Sequence, residues 1–307
     1  MYNIYIYGAG QKYNQFMALY HKYSDQLNVV AIVTTERSIY SCIDGIPMIQ
    51  IDDIEFACVE YIIIAADAWR EISQELIKRG CCEDKIIRSQ VFFLPNFDWE
   101  EYLSLKKSQI SILSNCCLGG MLYRKLGLEM LSPTINMFCL GNDWIEFVSN
   151  YKYYLKCEMK QYIDEVSMNG LRGTEQFFPK GILDEKLIWY FNHDKTAEEA
   201  INNWNRRCKR VNVDNVVVVE IILNDDAAYA FDTLPIKKKL GIYYKDLHLT
   251  NVMHIPEWED KNIRFNCHGS WIGFANNYMA GEGGFIGAID WIKFLKGDND
   301  FKRFEYR

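Results

Sequence analysis

Two adjacent cysteines, Cys116 and Cys117, stand between an apolar run and a Gly119-Gly120 pair in I-S-I-L-S-N-C-C-L-G-G, residues 110–120. The pattern predicts a strand, a tight turn and a helix beginning near Met121. Such a turn aims backbone N–H groups and a partial positive charge at whatever lies over it. Cys117 is the better placed of the pair, because a thiol at a helix N-terminus is biased toward the nucleophilic thiolate. A cysteine nucleophile also needs a base, and His193, His248, His254 and His268 are on offer. Two plainer readings stand beside this one. Both cysteines can pack under the turn as small hydrophobes. Alternatively, Asn115 and the amides of Gly119 and Gly120 hold a ligand carbonyl or phosphate, a use favoured over covalent chemistry because glycine permits close backbone approach.

Residues 186–191 read as a compact strand, followed by Asn192-His193-Asp194-Lys195-Thr196. Thr196-Ala197-Glu198-Glu199 has the form of a capping box, so a helix runs from Ala197 past Trp204 to about Arg210. His193 therefore lies on a strand-to-helix loop, where α/β proteins place ligands, and it is the first choice for a functional histidine. Lys195 suits a phosphate in the same place. Arg206 and Arg207 lie further into the helix and need the fold's help to reach the loop. Residues 213–223, V-D-N-V-V-V-V-E-I-I-L, predict a central strand buried on both faces. It ends in Asn224-Asp225-Asp226, one of which caps a helix and leaves another for a sugar hydroxyl or a metal. Asp225 is assigned to the chemistry and Asp226 to the substrate.

These loops must be carried by an α/β scaffold. In the first third, strands at 3–7, 29–33, 61–65 and 85–88 alternate with helical patterns at about 11–23 and 69–79. That alternation means a parallel sheet. Gly8 and Gly10 close the first strand as G-x-G, but Tyr13 occupies the third glycine position of a dinucleotide fingerprint. Only Glu36 can replace the ribose-binding acid, two residues late. NAD is thereby disfavoured, and a plain strand-to-helix turn is the alternative to any cofactor site at Gly8, Gly10 and Glu36. Pro95 and the charged helix at 99–107 read as a connector. Asn142-Asp143-Trp144 starts a helix by its capping chemistry, and residues 167–180 read as an exposed loop. The tail carries Cys267-His268 and a glycine-rich stretch at 281–287, a lid or a simple turn, and closes on an amphipathic helix at 290–296.

The fold class is α/β: a Rossmann-like parallel-sheet domain over 1–95, a helical connector over 96–109 and a second, larger α/β domain over 110–307. With 307 residues, 49% apolar and 15% aromatic, the chain is long and apolar enough for two cores. A net charge of −7 argues against nucleic acid as a partner. No run of 18 apolar residues implies a membrane span. The N-terminus runs straight into a strand with no basic leader, which reads as cytoplasmic and unprocessed. The ten cysteines include no C-x-x-C pair, so no metal is assigned.

The layout I-Y-G-A-G, V-V-A-I-V, I-D-G-I-P-M-I and Y-I-I-I-A-A over residues 1–95 resembles small Rossmann-like domains. These precede sugar-modifying acyltransferases and methyltransferases of bacterial polysaccharide pathways. The resemblance implies a glycine loop that contacts a sugar nucleotide. From about 111 to 256 the chain resembles a domain-of-unknown-function family found in exopolysaccharide and capsule gene products. The matching pieces are Ser114-Asn115-Cys116-Cys117-Leu118-Gly119-Gly120, Leu126-Gly127-Leu128, Ser132-Pro133-Thr134, His193-Asp194-Lys195-Thr196 and Trp204-x-Arg206-Arg207. That family prefers a second Asn at the place of Cys116, which makes Cys117 the match for its cysteine. The resemblance implies a role in surface-polysaccharide assembly without an established reaction.

The leading expectation is a transferase working on a sugar nucleotide or glycan intermediate, the sugar nucleotide being a donor. His193 would be the general base on a sugar hydroxyl, with Asn115 and the Gly119 and Gly120 amides holding an anionic group. Two others stand against it: a non-enzymatic sugar- or nucleotide-binding scaffold, and a cysteine-dependent hydrolase or acyltransferase at Cys117.

Overall fold

The computed structural model describes residues 1–36, 40–163, 179–255, 289–298 and 301. The chain divides into two units, Met1–Lys106 with Lys125–Gly127, and Lys107–Arg124 with Leu128–Arg307. Most of the expected loop at 167–180, and the tail with Cys267, His268 and 281–287, lie outside the described residues.

The first unit runs β1 (Tyr2–Tyr7), α1 (Gln11–Tyr20), β2 (Leu27–Thr34), β3 (Cys42–Ile43), β4 (Ile46–Gln50), β5 (Tyr61–Ile64), α2 (Trp69–Lys78), β6 (Ile86–Arg88) and α3 (Trp99–Lys107). Its sheet has the order β3-β4-β2-β1-β5-β6. Every pairing is parallel except the β3–β4 hairpin. Ile4, Ile6, Ile32, Val33, Ile62 and Ile63 are buried, as strands covered on both faces require. The expected connector is part of this core: the indole of Trp99 is fully buried, stacked on Phe92 at 5.6 Å and edge-on to Tyr61 at 5.2 Å.

The second unit holds β7 (Ser111–Ser114), α4 (Leu118–Leu126), α5 (Gly141–Ser149), α6 (Tyr151–Tyr154), β8 (Met159–Tyr162), β9 (Lys180–Leu183), β10 (Leu187–Tyr190), α7 (Ala197–Cys208), β11 (Val216–Ile221), α8 (Asp225–Asp232), β12 (Lys239–Tyr243), β13 (Val252–His254) and α9 (Trp291–Lys296). A parallel sheet runs β13-β12-β11-β7, and a small antiparallel sheet runs β10-β9-β8. Trp189 of β10 fixes the small sheet in the core. Its indole lies 5.0 Å from Phe147 of α5 and 4.9 Å from Trp204 of α7, and all three rings are buried.

Three elements depart from the sequence reading. β11 is shorter than 213–223, because Asn212 closes a turn by accepting from the Asp214 and Asn215 amides, leaving Val213 exposed. α5 begins at Gly141 with Leu140 as an N-cap that makes no side-chain bond. The carboxylate expected to cap it, Asp143, instead accepts from the Ile188 amide of β10 at 2.9 Å. α4 begins at Leu118, so Gly119 and Gly120 lie in its first turn.

Candidate functional site

The ladder between β7 and β11 ends with Ser114 opposite Val219. Asn115 then extends it with its side chain: Nδ2 donates to the Ile221 carbonyl at 2.9 Å, and Oδ1 accepts from the Ile221 amide at 3.0 Å. The carboxamide thus stands in for a peptide group and is 1% exposed. Both of its ends are committed inside the core, which overturns its expected role in binding a ligand. Beside Gly119 and Gly120 the space is filled by protein. A Cβ on Gly119 would lie 3.1 Å from Ser114 Cβ, and one on Gly120 would lie 3.2 Å from Ile135 Cγ2. Their missing side chains let protein press against α4, in whose first turn their amides lie.

Burial separates the two cysteines. Cys116 is 1% exposed, 3.9 Å from Ser114 Oγ, and its thiol is pushed up to about 12 by burial. Such a thiol stays protonated. Cys117 occupies the N-cap position of α4, where its carbonyl accepts from the Met121 amide at 3.0 Å. Of residues 111–120 it alone is not buried.

His193 comes to Cys117 from the other sheet. β10 ends at Tyr190, whose amide and carbonyl pair with Phe138 at 2.9 and 3.0 Å, and the two rings stack at 4.7 Å. The next amide, Cys139 N–H, donates to the Asn115 carbonyl at 3.2 Å. Phe138-Cys139 therefore staples the end of β10 to the turn after β7. In consequence His193 Nε2 lies 3.3 Å from Cys117 Sγ, with the imidazole exposed. The pair exists either as a thiol donating to Nε2 or as Nε2–H donating to a thiolate, and its separation suits a nucleophile and its base.

The same loop is tied down from α7. Thr196 caps that helix by accepting from the Glu199 amide, while the Glu199 carboxylate accepts from the Lys195 amide at 3.2 Å. Lys195 itself is exposed. Asn203 Nδ2 donates to Asp194 Oδ1 at 2.9 Å, and Arg206 Nη2 donates to Asn203 Oδ1 at 2.9 Å. Burial lowers the Arg207 guanidinium from its usual value and nearby Asp194 opposes the shift, while Nη1 holds the Ile135 carbonyl at 2.9 Å. These residues were distant from the loop on the sequence reading; their i, i+3, i+4 spacing on α7 was the available signal. Sequence reasoning placed Asn192 in the candidate loop without giving it a role; its Nδ2 faces Cys117 Sγ at 3.9 Å.

Asn224 is the N-cap of α8, accepting from the Ala227 amide at 2.9 Å. Asp225 accepts from Tyr243 Oη at 2.6 Å and from Lys245 Nζ at 2.7 Å, and these bonds hold its carboxyl below the usual range. Asp226 is exposed in the first turn of α8. In the first unit Gly8 has φ +107°, and a Cβ there would meet the Ala65 carbonyl oxygen at 2.7 Å, so backbone geometry alone demands glycine. Tyr13, at the third glycine position, is fully buried and donates to Asp44 at 3.1 Å. Gly10 opens α1 onto free space, and Glu36 is exposed, its carbonyl accepting from Thr34 Oγ1 at 2.7 Å. Among the described residues no cluster of three or more His, Cys, Asp or Glu is disposed to hold a metal. None of the described helices is long and apolar enough to cross a membrane.

The fold is thus a mixed α/β protein, with a parallel sheet in each unit and a cysteine–histidine pair in the second. The chain belongs to the family described as Domain of unknown function (DUF1919), whose model matches residues 88–296. Residues 1–87 match a C2185-like, N-terminal model. An uncharacterized protein of Haemophilus influenzae is 25% identical over 144 residues, which cover 46% of this chain and 65% of that protein. The crystal structure of aspartate semialdehyde dehydrogenase II from Vibrio cholerae aligns over 72% of this chain and 68% of that one. The identity is 13% and the TM-score is 0.25.

Proposed function

We propose that the chain is a transferase that moves an acyl group through a thioester on Cys117. The observation that carries the reading is the 3.3 Å approach of His193 Nε2 to Cys117 Sγ. In the first step His193 takes the thiol proton and the sulfur attacks the acyl carbonyl of a donor. The tetrahedral intermediate expels the donor's leaving group, which takes the proton back from His193. In the second step His193 removes the proton of an acceptor hydroxyl, the oxygen attacks the thioester, and Cys117 leaves and is reprotonated. This gives His193 the expected role of base on a sugar hydroxyl, with the thiol as a relay. The sugar nucleotide, expected as a donor, is here the acceptor instead: the acceptor is assigned to a sugar nucleotide or glycan intermediate of surface-polysaccharide assembly, following the resemblance of residues 1–95 and 111–256 to proteins of those pathways.

The test offers acetyl-CoA as donor and UDP-, GDP- and CDP-sugars as acceptors, with acetylated sugar detected by mass spectrometry. Product formed by the wild type and lost in Cys117→Ser supports the reading. Product formed equally by Cys117→Ser overturns the thioester, and water as acceptor would make the chain a hydrolase by the same first step.

A further inference from the structure

We infer that Asn192 is a third catalytic residue, whose carboxamide N–H stabilises negative charge on Cys117 sulfur and then on the oxyanion formed beside it. The inference rests on the thioester reading and names a group that reading does not use. Asn192 immediately precedes His193 on the loop after β10, so whatever brings His193 to Cys117 brings Asn192 too. Its Nδ2 faces Sγ at 3.9 Å. A donor at that distance from the attacking atom lies within reach of an oxygen on the carbon that the sulfur has joined, where a preorganised donor acts.

The other end of the carboxamide is what distinguishes Asn192 from a surface asparagine that happens to touch a thiol. Asn192 Oδ1 is shut away from solvent and has no hydrogen-bond partner among the described residues. A buried acceptor left unsatisfied is destabilising, and turning it out to water would relieve the cost. The side chain is nevertheless held with its acceptor unsatisfied and its donor toward the sulfur. Neutral thiol gains little from such a donor; thiolate and oxyanion gain more, because a hydrogen bond to an ionised acceptor is roughly twice as strong. The proton that leaves Cys117 goes to His193 Nε2, and Asn192 moves no proton in either step.

The test measures the rate at which iodoacetamide modifies Cys117 at neutral pH, peptide by peptide, in the full chain. The exposed Cys58 and Cys82 serve as internal references. Asn192→Ala should slow Cys117 by several-fold. Asn192→Leu, of nearly the same shape, uncharged and without a donor, should slow it by about as much. A residue that only packs would leave Asn192→Leu near the wild-type rate, since that variant keeps the volume without the donor; Asn192→Leu at or above the wild-type rate overturns the inference. Should Asn192→Ala fail to fold, Asn192→Leu alone decides. Loss of the nucleophile and loss of the Asn192 donor also give different results. A wild-type Cys117 no faster than Cys58 and Cys82 removes the nucleophile, and both readings fall. A fast wild-type Cys117 that His193→Ala slows and Asn192→Leu does not removes Asn192 alone.

Discussion

Cys117 Sγ and His193 Nε2 lie 3.3 Å apart although 76 residues separate them in sequence, and they reach each other from two different sheets. The stitch between those sheets is backbone: Tyr190 to Phe138, and Cys139 to Asn115. The geometry of the pair is therefore held by main-chain bonds, and side chains can be changed at the site without dismantling it.

His193→Ala is the first such change. The imidazole is exposed, so its loss should alter stability by no more than about 0.5 kcal/mol. Acylation of Cys117 by an activated ester should fall by about 10²–10⁴-fold, the usual contribution of a positioned base. Stopped-flow rates and a thermal melt on the same preparation check both halves.

Asn115→Ala should do the reverse. It leaves the buried amide and carbonyl of Ile221 without partners, and each orphaned group costs about 1–3 kcal/mol. A loss of roughly 2–4 kcal/mol in urea unfolding is expected. A fully stable Asn115→Ala protein would return the residue to the ligand-binding role that the sequence suggested.

Glu220 gives a pH-dependent prediction. It is 2% exposed in β11, and burial raises its carboxyl well above the usual range, opposed by a bond from Trp144 Nε1 at 2.8 Å. Below about pH 4.3 the acid is protonated in folded and unfolded chains alike. As pH rises past that point the unfolded chain releases the proton first, so stability falls with pH until the folded acid also ionises. Glu220→Gln keeps an acceptor for Trp144 and removes the proton. Its unfolding free energy should fall less steeply from about pH 5 to about pH 8, by at most about 1.4 kcal/mol per unit. Parallel profiles for the two proteins would mean that Glu220 is ionised when folded.

The two glycines of the first turn should behave differently. Gly8→Ala forces a side chain into positive φ and onto the Ala65 carbonyl, which should cost at least about 1–2 kcal/mol. Gly10→Ala meets open space at an N-cap and should cost no more than about 1 kcal/mol. Chemical denaturation followed by the fluorescence of Trp69 and Trp99 in the first unit checks both.

The α/β class was legible because parallel strands are local runs of β-branched residues, such as Y-I-I-I and V-V-V-V, bounded by glycine and capping residues. The antiparallel sheet was not legible. M-K-Q-Y and K-G-I-L are four residues each and carry charge; they are strands because of pairing with β10 and the core around Trp189. The same limit governs the site. Asn115 beside a Gly-Gly pair has the look of a ligand grip, yet its partner is Ile221, 106 residues away. Cys117 could be singled out over Cys116 from its place at the helix start, a local property. The arrival of His193 depends on the Phe138–Tyr190 bridge, which leaves no mark in either segment alone.

The most direct measurement is a single-turnover reaction with p-nitrophenyl acetate, followed by p-nitrophenol release and by mass mapping of the modified peptide. The account predicts a burst of about one equivalent, with the acetyl group on Cys117, absent in Cys117→Ser and slowed in His193→Ala. An acetyl group spread over the exposed cysteines and lysines, with no burst and no dependence on His193, would contradict it.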